Sequence, residues 1–167
     1  MVRTVELKAT MQAATVTQRG RQVLAAQALR KGESFILAAI LLRRSGGHPQ
    51  VVAHLYLQGL EVVLKCVLQI IDPAQYTHAR IKKFGHDLVA LLDECWKHNG
   101  LRWRPRGFTT SRPFVSLAGR YKVAHLRYPH LADWFTGNVA LPPPLISFVL
   151  ALLKWARRAA TARGLAV

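Results

Sequence analysis

His54-Leu55-Tyr56-Leu57-Gln58-Gly59-Leu60-Glu61-Val62-Val63-Leu64-Lys65 is apolar on nearly every side of a helix, yet it carries one amide, one acid and one base. The helix extends beyond the quoted stretch. Pro49 opens it, since a proline suits the first helical turn, and Asp72-Pro73 ends it near Ile71. Val52, Leu55, Tyr56, Gly59, Val63, Val67 and Ile70 form one apolar stripe, and Leu57, Leu60, Leu64, Leu68 and Ile71 form a second. A helix apolar on two faces is packed from both sides, so this one is central. Glu61 and Lys65 stand at i and i+4, in the order that lets an acid and a base pair on a helix. With apolar residues all round, Glu61 is at least partly buried, where an unpaired carboxylate is costly. Arg127, on an Arg127-Tyr128-Pro129 corner, is its second expected partner. The bland reading of Glu61, Lys65 and Arg127 is a structural ion pair that fixes the packing of two helices; the sharper one is a ligand site.

Working outward, Arg21 to Leu29 reads as a short helix and Glu33 to Arg44 as a better one, stopped by Gly46-Gly47. His86 or Asp87 caps a helix running to about Lys97, with Leu88, Leu91, Leu92 and Cys95 inward. Asn99-Gly100 ends it. Pro113 to His125 is helical, with Phe114, Leu117, Tyr121 and Ala124 spaced three or four apart, and a last helix runs from Leu145 to about Arg163. No segment shows sustained period-2 alternation. We expect an all-α fold, a single up-and-down bundle of four to five helices over residues 21–167, preceded by an uncommitted segment at 1–20.

The charge is lopsided: 24 Lys plus Arg against 8 Asp plus Glu, a formal net of +16 in 167 residues. Such a surplus repels itself and suits phosphates or anionic lipid as partners, nucleic acid ahead of membrane, the bland reading being a solvated surface. Arg outnumbers Lys, 16 to 8, which favours forked contacts to phosphate over point charges. Hydrophobic residues at 51% exclude a disordered polyelectrolyte. Cys66 and Cys95 sit among apolar neighbours and read as reduced core thiols. The uninterrupted apolar runs, Phe35 to Leu42 and Phe148 to Leu153, fall short of the roughly 20 residues a membrane span needs. We expect a soluble, cytoplasmic protein with no membrane partner. No phosphate loop or dinucleotide fingerprint is present, and neither acids nor histidines have metal-ligand company, so no cofactor and no metal are expected.

Three motifs, in register with these helices, resemble the HEPN family of small prokaryotic helical bundles. Gln58-Gly59-Leu60-Glu61-Val62-Val63-Leu64-Lys65 is similar to its Gln-Ala-x-Glu-x-x-Leu-Lys helix, with Gly59 for the usual alanine. Gly85-His86-Asp87-Leu88 followed by Leu91-Leu92 resembles its His-x-Leu helix start. Arg127-Tyr128-Pro129 resembles its Arg-Tyr-Pro corner, with His130 where Asp is usual. The resemblance covers roughly residues 33–163. It implies a homodimer and one of several roles: a nucleic-acid binder, the accessory partner of a small nucleotidyltransferase in a two-gene defence or toxin–antitoxin pair, or a ribonuclease using an Arg followed by His with four to six residues between.

Three pairs fit that spacing: Arg120/His125, Arg43/His48 and Arg80/His86. Sixteen Arg and seven His in this length predict about two accidental matches, so spacing alone discriminates nothing. Arg43/His48 straddles the Gly46-Gly47 break. Arg120 and His125 fall in one expected helix, offset by about 140°, and can flank a groove. In a metal-independent endoribonuclease His125 would act as general acid or base and Arg120 would stabilise charge on the phosphate. The loop Leu101 to Arg112 carries Arg102, Trp103, Arg104, Arg106 and Phe108, which offer phosphate contacts and stacking surfaces to RNA or another nucleic acid. Lys82 and Lys83 either extend that basic face or simply make a solvated turn, the blander reading. A third class is a structural adaptor whose charge serves an acidic protein partner.

Overall fold

Six α-helices and no strand make up the described residues, 17–98, 111–123 and 141–167, of the computed structural model. They are α1 (Gln18–Arg44), α2 (Pro49–Ile71), α3 (His78–Lys83), α4 (Leu88–Trp96), α5 (Arg112–Lys122) and α6 (Pro143–Thr161). The fold is an all-α bundle. Helix α2 is its axis, touching α1, α4, α5 and α6. Both of its stripes are used: Val52, Tyr56, Val63 and Val67 are buried on one, Leu57, Leu60, Leu64 and Leu68 on the other. By length and composition α2 could cross a membrane, but 67% of its most apolar window is buried inside the bundle, as in a core helix.

The two short helices read at 21–29 and 33–44 are one continuous α1. Lys31-Gly32 looks like a break in the sequence. Instead Gly32 is buried where α1 crosses α2, and a β-carbon there would lie 3.0 Å from Val63 Cγ2 and 3.2 Å from the Gly59 carbonyl. The glycine sits at a close helix crossing and not at a turn. The true stop comes at Gly46, which takes φ +73°. Gly47 N–H then donates to the Leu42 carbonyl at 2.8 Å and Gly46 N–H to that of Arg43 at 3.3 Å, closing the last turn in a Schellman motif. Gly164, at φ +65°, ends α6 the same way, with Leu165 N–H on the Ala160 carbonyl at 3.0 Å.

Side chains from the first turn of α1 close two other helix ends. Arg19 donates to the carbonyls of Arg163 (2.7 Å) and Gly164 (3.0 Å), just past α6. Gln22 donates to the Ile70 carbonyl at 3.0 Å and Arg21 to that of Pro73 at 2.9 Å, at the end of α2. Carbonyls at a helix terminus lack intrahelical donors, so these contacts satisfy groups that would otherwise need water. Of the segment 1–20, residues 17–20 are described: Thr17 caps α1, its hydroxyl accepting from Gly20 N–H at 3.0 Å, and the helix starts at Gln18.

Candidate functional site

Glu61 lies on the α2 face turned toward α4 and α5 and is 7% exposed. Three side chains converge on it. Lys65 Nζ, one turn along α2, lies 2.6 Å from Oε1 and also donates to the Gly85 carbonyl at 2.7 Å. The Tyr121 hydroxyl, from α5, donates to Oε2 at 2.6 Å, and His86 Nδ1, from the α3–α4 connection, is 2.9 Å from the same oxygen. Gly85, at φ +55°, makes the turn that brings His86 over. Burial pushes the Glu61 carboxyl up, but the hydrogen bonds from Lys65, Tyr121 and His86 outweigh it and hold the acid below its ordinary value. Glu61 is therefore an anion at neutral pH.

That anion fixes the chemistry of His86. A carboxylate can only accept, so Nδ1 carries the proton and Nε2 is the basic nitrogen of the neutral ring. The His86 side chain is 47% exposed, so the oriented imidazole can reach a solvent-borne group. The Tyr121 ring stands between two imidazoles, with centroids 5.7 Å from His54 and 5.9 Å from His86. Asp87, next in sequence, is the N-cap of α4: its Oδ1 accepts from Ala90 N–H at 3.0 Å while Oδ2 meets Lys122 Nζ at 2.6 Å. Glu61 and Asp87 are thus matched by Lys65 and Lys122. Lys82 and Lys83, exposed at the end of α3 just before His86, form no ion pair with a described residue and leave a local surplus of positive charge.

A second buried acid forms a parallel cluster. Glu94, on α4 and also 7% exposed, accepts from the Tyr76 hydroxyl at 2.7 Å. That hydroxyl is 2.8 Å from His98 Nε2. Tyr76 has one proton and gives it to the carboxylate, so its oxygen accepts from His98 Nε2–H. Arg80 lies 5.1 Å above the Tyr76 ring and 3.2 Å from Glu94 Oε1, and Lys97 pairs with Oε2. Hydrogen bonds from Lys97 and Tyr76 outweigh burial and hold Glu94 below its ordinary value. Burial, then Glu94 itself, push the Tyr76 hydroxyl up.

Of the three Arg/His pairs of the sequence, the structure describes two in full, and it divides Arg80 from His86. His48 is the N-cap of α2, its Nδ1 accepting from Gln50 N–H at 3.3 Å. Arg80 serves Glu94 and His86 serves Glu61, so that pair belongs to two separate clusters. Arg120 stands in the last turn of α5, which ends at Lys122 with Val123 as its C-cap. The helix expected to carry both Arg120 and His125 is shorter than its periodicity suggests. His125, Arg127, Arg102, Trp103, Arg104, Arg106 and Phe108 lie outside the described residues. Of the expected ion pair, Lys65 meets Glu61; His86 and Tyr121 are partners that helix spacing alone could not supply. Tyr121 had one signal, since an inward tyrosine needs somewhere for its hydroxyl. Glu94 had none beyond its place among Leu91, Leu92 and Cys95.

Among the described residues no group of three or more His, Cys, Asp or Glu side chains could hold a metal ion. No family model, no curated protein and no solved structure matches this chain.

Proposed function

We propose that this chain is a HEPN-like, nucleic-acid-associated binding module, a cytoplasmic homodimer that serves as the accessory half of a two-gene defence or toxin–antitoxin pair. The observation that carries the reading is the half-exposed His86, held by a buried carboxylate and followed back along the chain by two unmatched lysines, on a protein with a formal net of +16. The acids at this face are already neutralised by Lys65 and Lys122, so Lys82 and Lys83 remain for an external anion. A phosphate backbone supplies such anions at regular spacing. The basic loop carrying Arg102, Arg104 and Arg106 with Trp103 and Phe108 extends the proposed footprint to unpaired bases.

A second reading, a metal-independent endoribonuclease, is favoured by the Glu61–His86 contact itself. An imidazole whose Nδ1–H is held by an anion presents Nε2 as a general base toward a ribose 2′-OH. In that reading His86 shares or takes the role that spacing gave to His125.

Labelled RNA with EDTA present, scored for binding and cleavage together, tests both. Binding that weakens with salt, and whose log–log salt slope falls by about 1–2 in Lys82→Ala/Lys83→Ala, supports the module. Metal-free cleavage lost in His86→Ala, with the helical circular dichroism signal intact, supports the ribonuclease. Cleavage lost only in Arg120→Ala or His125→Ala moves the chemistry there. No RNA affinity at physiological salt would overturn both readings and leave an acidic protein as the partner.

A further inference from the structure

On the other side of α2 from the Glu61 cluster, a groove of about 440 Å³ runs between the C-terminal half of α1, the first turns of α2 and the start of α6. Its walls are aliphatic or aromatic: Ile40 from α1, Tyr56 from α2, Ile146 and Leu150 from α6. Two guanidinium groups, Arg43 and Arg44, complete the lining. The volume falls within the range of small-molecule sites.

Two features distinguish this groove from an ordinary crevice between helices. Leu150 remains 45% exposed along it, so part of the aliphatic wall is uncovered. Neither Arg43 nor Arg44 forms an ion pair with another described residue, whereas Glu33, Glu61, Asp87 and Glu94 are all paired with other cations. The two arginines also favour the C-terminal end of the α1 dipole, but that needs no apolar pocket beside them. Their charge reaches into the groove: burial pushes the Tyr56 hydroxyl up, and Arg43 and Arg44 both act against that rise.

We propose that this groove binds a small amphipathic anion, an aliphatic chain bearing a carboxylate or phosphate head, with the chain along Ile40, Ile146 and Leu150 and the head held by Arg43 and Arg44. A forked guanidinium matches both head groups, which have two or more oxygens in a plane or fan. The aliphatic body follows from the wall. Apart from the Tyr56 hydroxyl, the lining side chains other than the arginines offer no hydrogen-bonding group with which to read a base or a sugar.

The test is isothermal titration of the full chain with decanoate, octyl phosphate and the uncharged decanol. Saturable one-site binding of both anions is expected, at least tenfold weaker in Arg43→Gln/Arg44→Gln and weakened also by Leu150→Glu, which places an acid on the wall. The substituted positions are solvent-exposed, so these variants should fold. Arg30→Gln/Lys31→Gln removes the same charge from an exposed part of α1 three to four turns earlier and should bind like the wild type. An equal loss in both double variants would mean attraction to net charge and would overturn the site. So would decanol binding as tightly as decanoate, absence of saturable binding, or affinity for anionic phosphatidylglycerol vesicles without affinity for the free anions.

Discussion

Gly32 and Gly59 face each other where α1 crosses α2, so closely that a β-carbon built on Gly59 would fall 2.9 Å from the Gly32 carbonyl and 2.5 Å from Ile36 Cγ1. An alanine at position 59 would collide with backbone here. Alanine gains about 1 kcal/mol over glycine in a helix interior, while overpacking a tight core costs about 1–3 kcal/mol. At Gly59 the clash with a backbone oxygen wins, and we expect Gly59→Ala to lower unfolding free energy by about 1–2 kcal/mol. At Gly32 the new contacts start at 3.0 Å and are mostly with valine methyl groups, so Gly32→Ala should be near neutral. Urea unfolding checks both; equal effects would contradict the crossing geometry.

Removing the charge from Glu61 should cost stability before anything else. Glu61→Gln keeps the shape but leaves Lys65 without its counter-ion and gives the Tyr121 and His86 donors a weaker acceptor, a loss of about 1–3 kcal/mol. Tyr121→Phe deletes one of three donors and should cost less, about 1–2 kcal/mol. If both act through the same carboxylate, the double variant falls short of the sum in a thermodynamic cycle. Additive losses would show that the Tyr121 hydroxyl acts independently of the Glu61 charge.

The acids set a pH dependence. Glu61, Asp87 and Glu94 are each held below their ordinary values: burial raises Glu61 and Asp87 but hydrogen bonds from Lys65 and Lys122 lead the opposing effects, while for Glu94 the Lys97 contact leads outright. A depressed folded value means that the unfolded chain binds the proton more readily. Their stabilisation is therefore complete above the ordinary carboxylate range, about 4, and is lost as pH falls through the lower folded values. Thermal unfolding should show Tm dropping steeply below about pH 4, and less steeply in Glu61→Gln. Parallel acid limbs in the two proteins would remove Glu61 from the account.

Cys66 and Cys95 are buried free thiols. Burial pushes Cys66 up to about 12 and raises Cys95 as well. The reactive thiolate is then scarce and enclosed. Alkylation by iodoacetamide at pH 8 should be slow in the native protein and should accelerate once urea opens the bundle. Rapid labelling of either thiol without denaturant would contradict its burial.

Period and punctuation carried much of this architecture in the sequence. The two stripes of α2 announced a central helix, and Phe114, Leu117 and Tyr121 announced the inner face of α5. What misled was a glycine whose role is decided across a helix crossing: Gly32 carries no local sign that Val63 and Gly59 lie against it. The Glu61–Lys65 contact is local in sequence and was legible from spacing. His86 and Tyr121 reach the same carboxylate from 25 and 60 residues away, and Tyr76 reaches Glu94 across 18. Periodicity carries no information about such meetings, because it reports which side of a helix faces inward and not what waits there.

The contact between Arg19 and the end of α6 has a consequence for the order of events during synthesis. It joins groups 144 and 145 residues apart, so the first turn of α1 has no partner there until residue 164 has been made, roughly 7–30 s later at ordinary translation rates. The α1–α2 pair can zip from the Gly46-Gly47 turn long before that, its far end held by Gln22 on Ile70 and Arg21 on Pro73 but not yet tied to α6. Docking of α6 is a late step, and a nascent chain released early would carry a formed hairpin whose Arg19 still lacks its carbonyls.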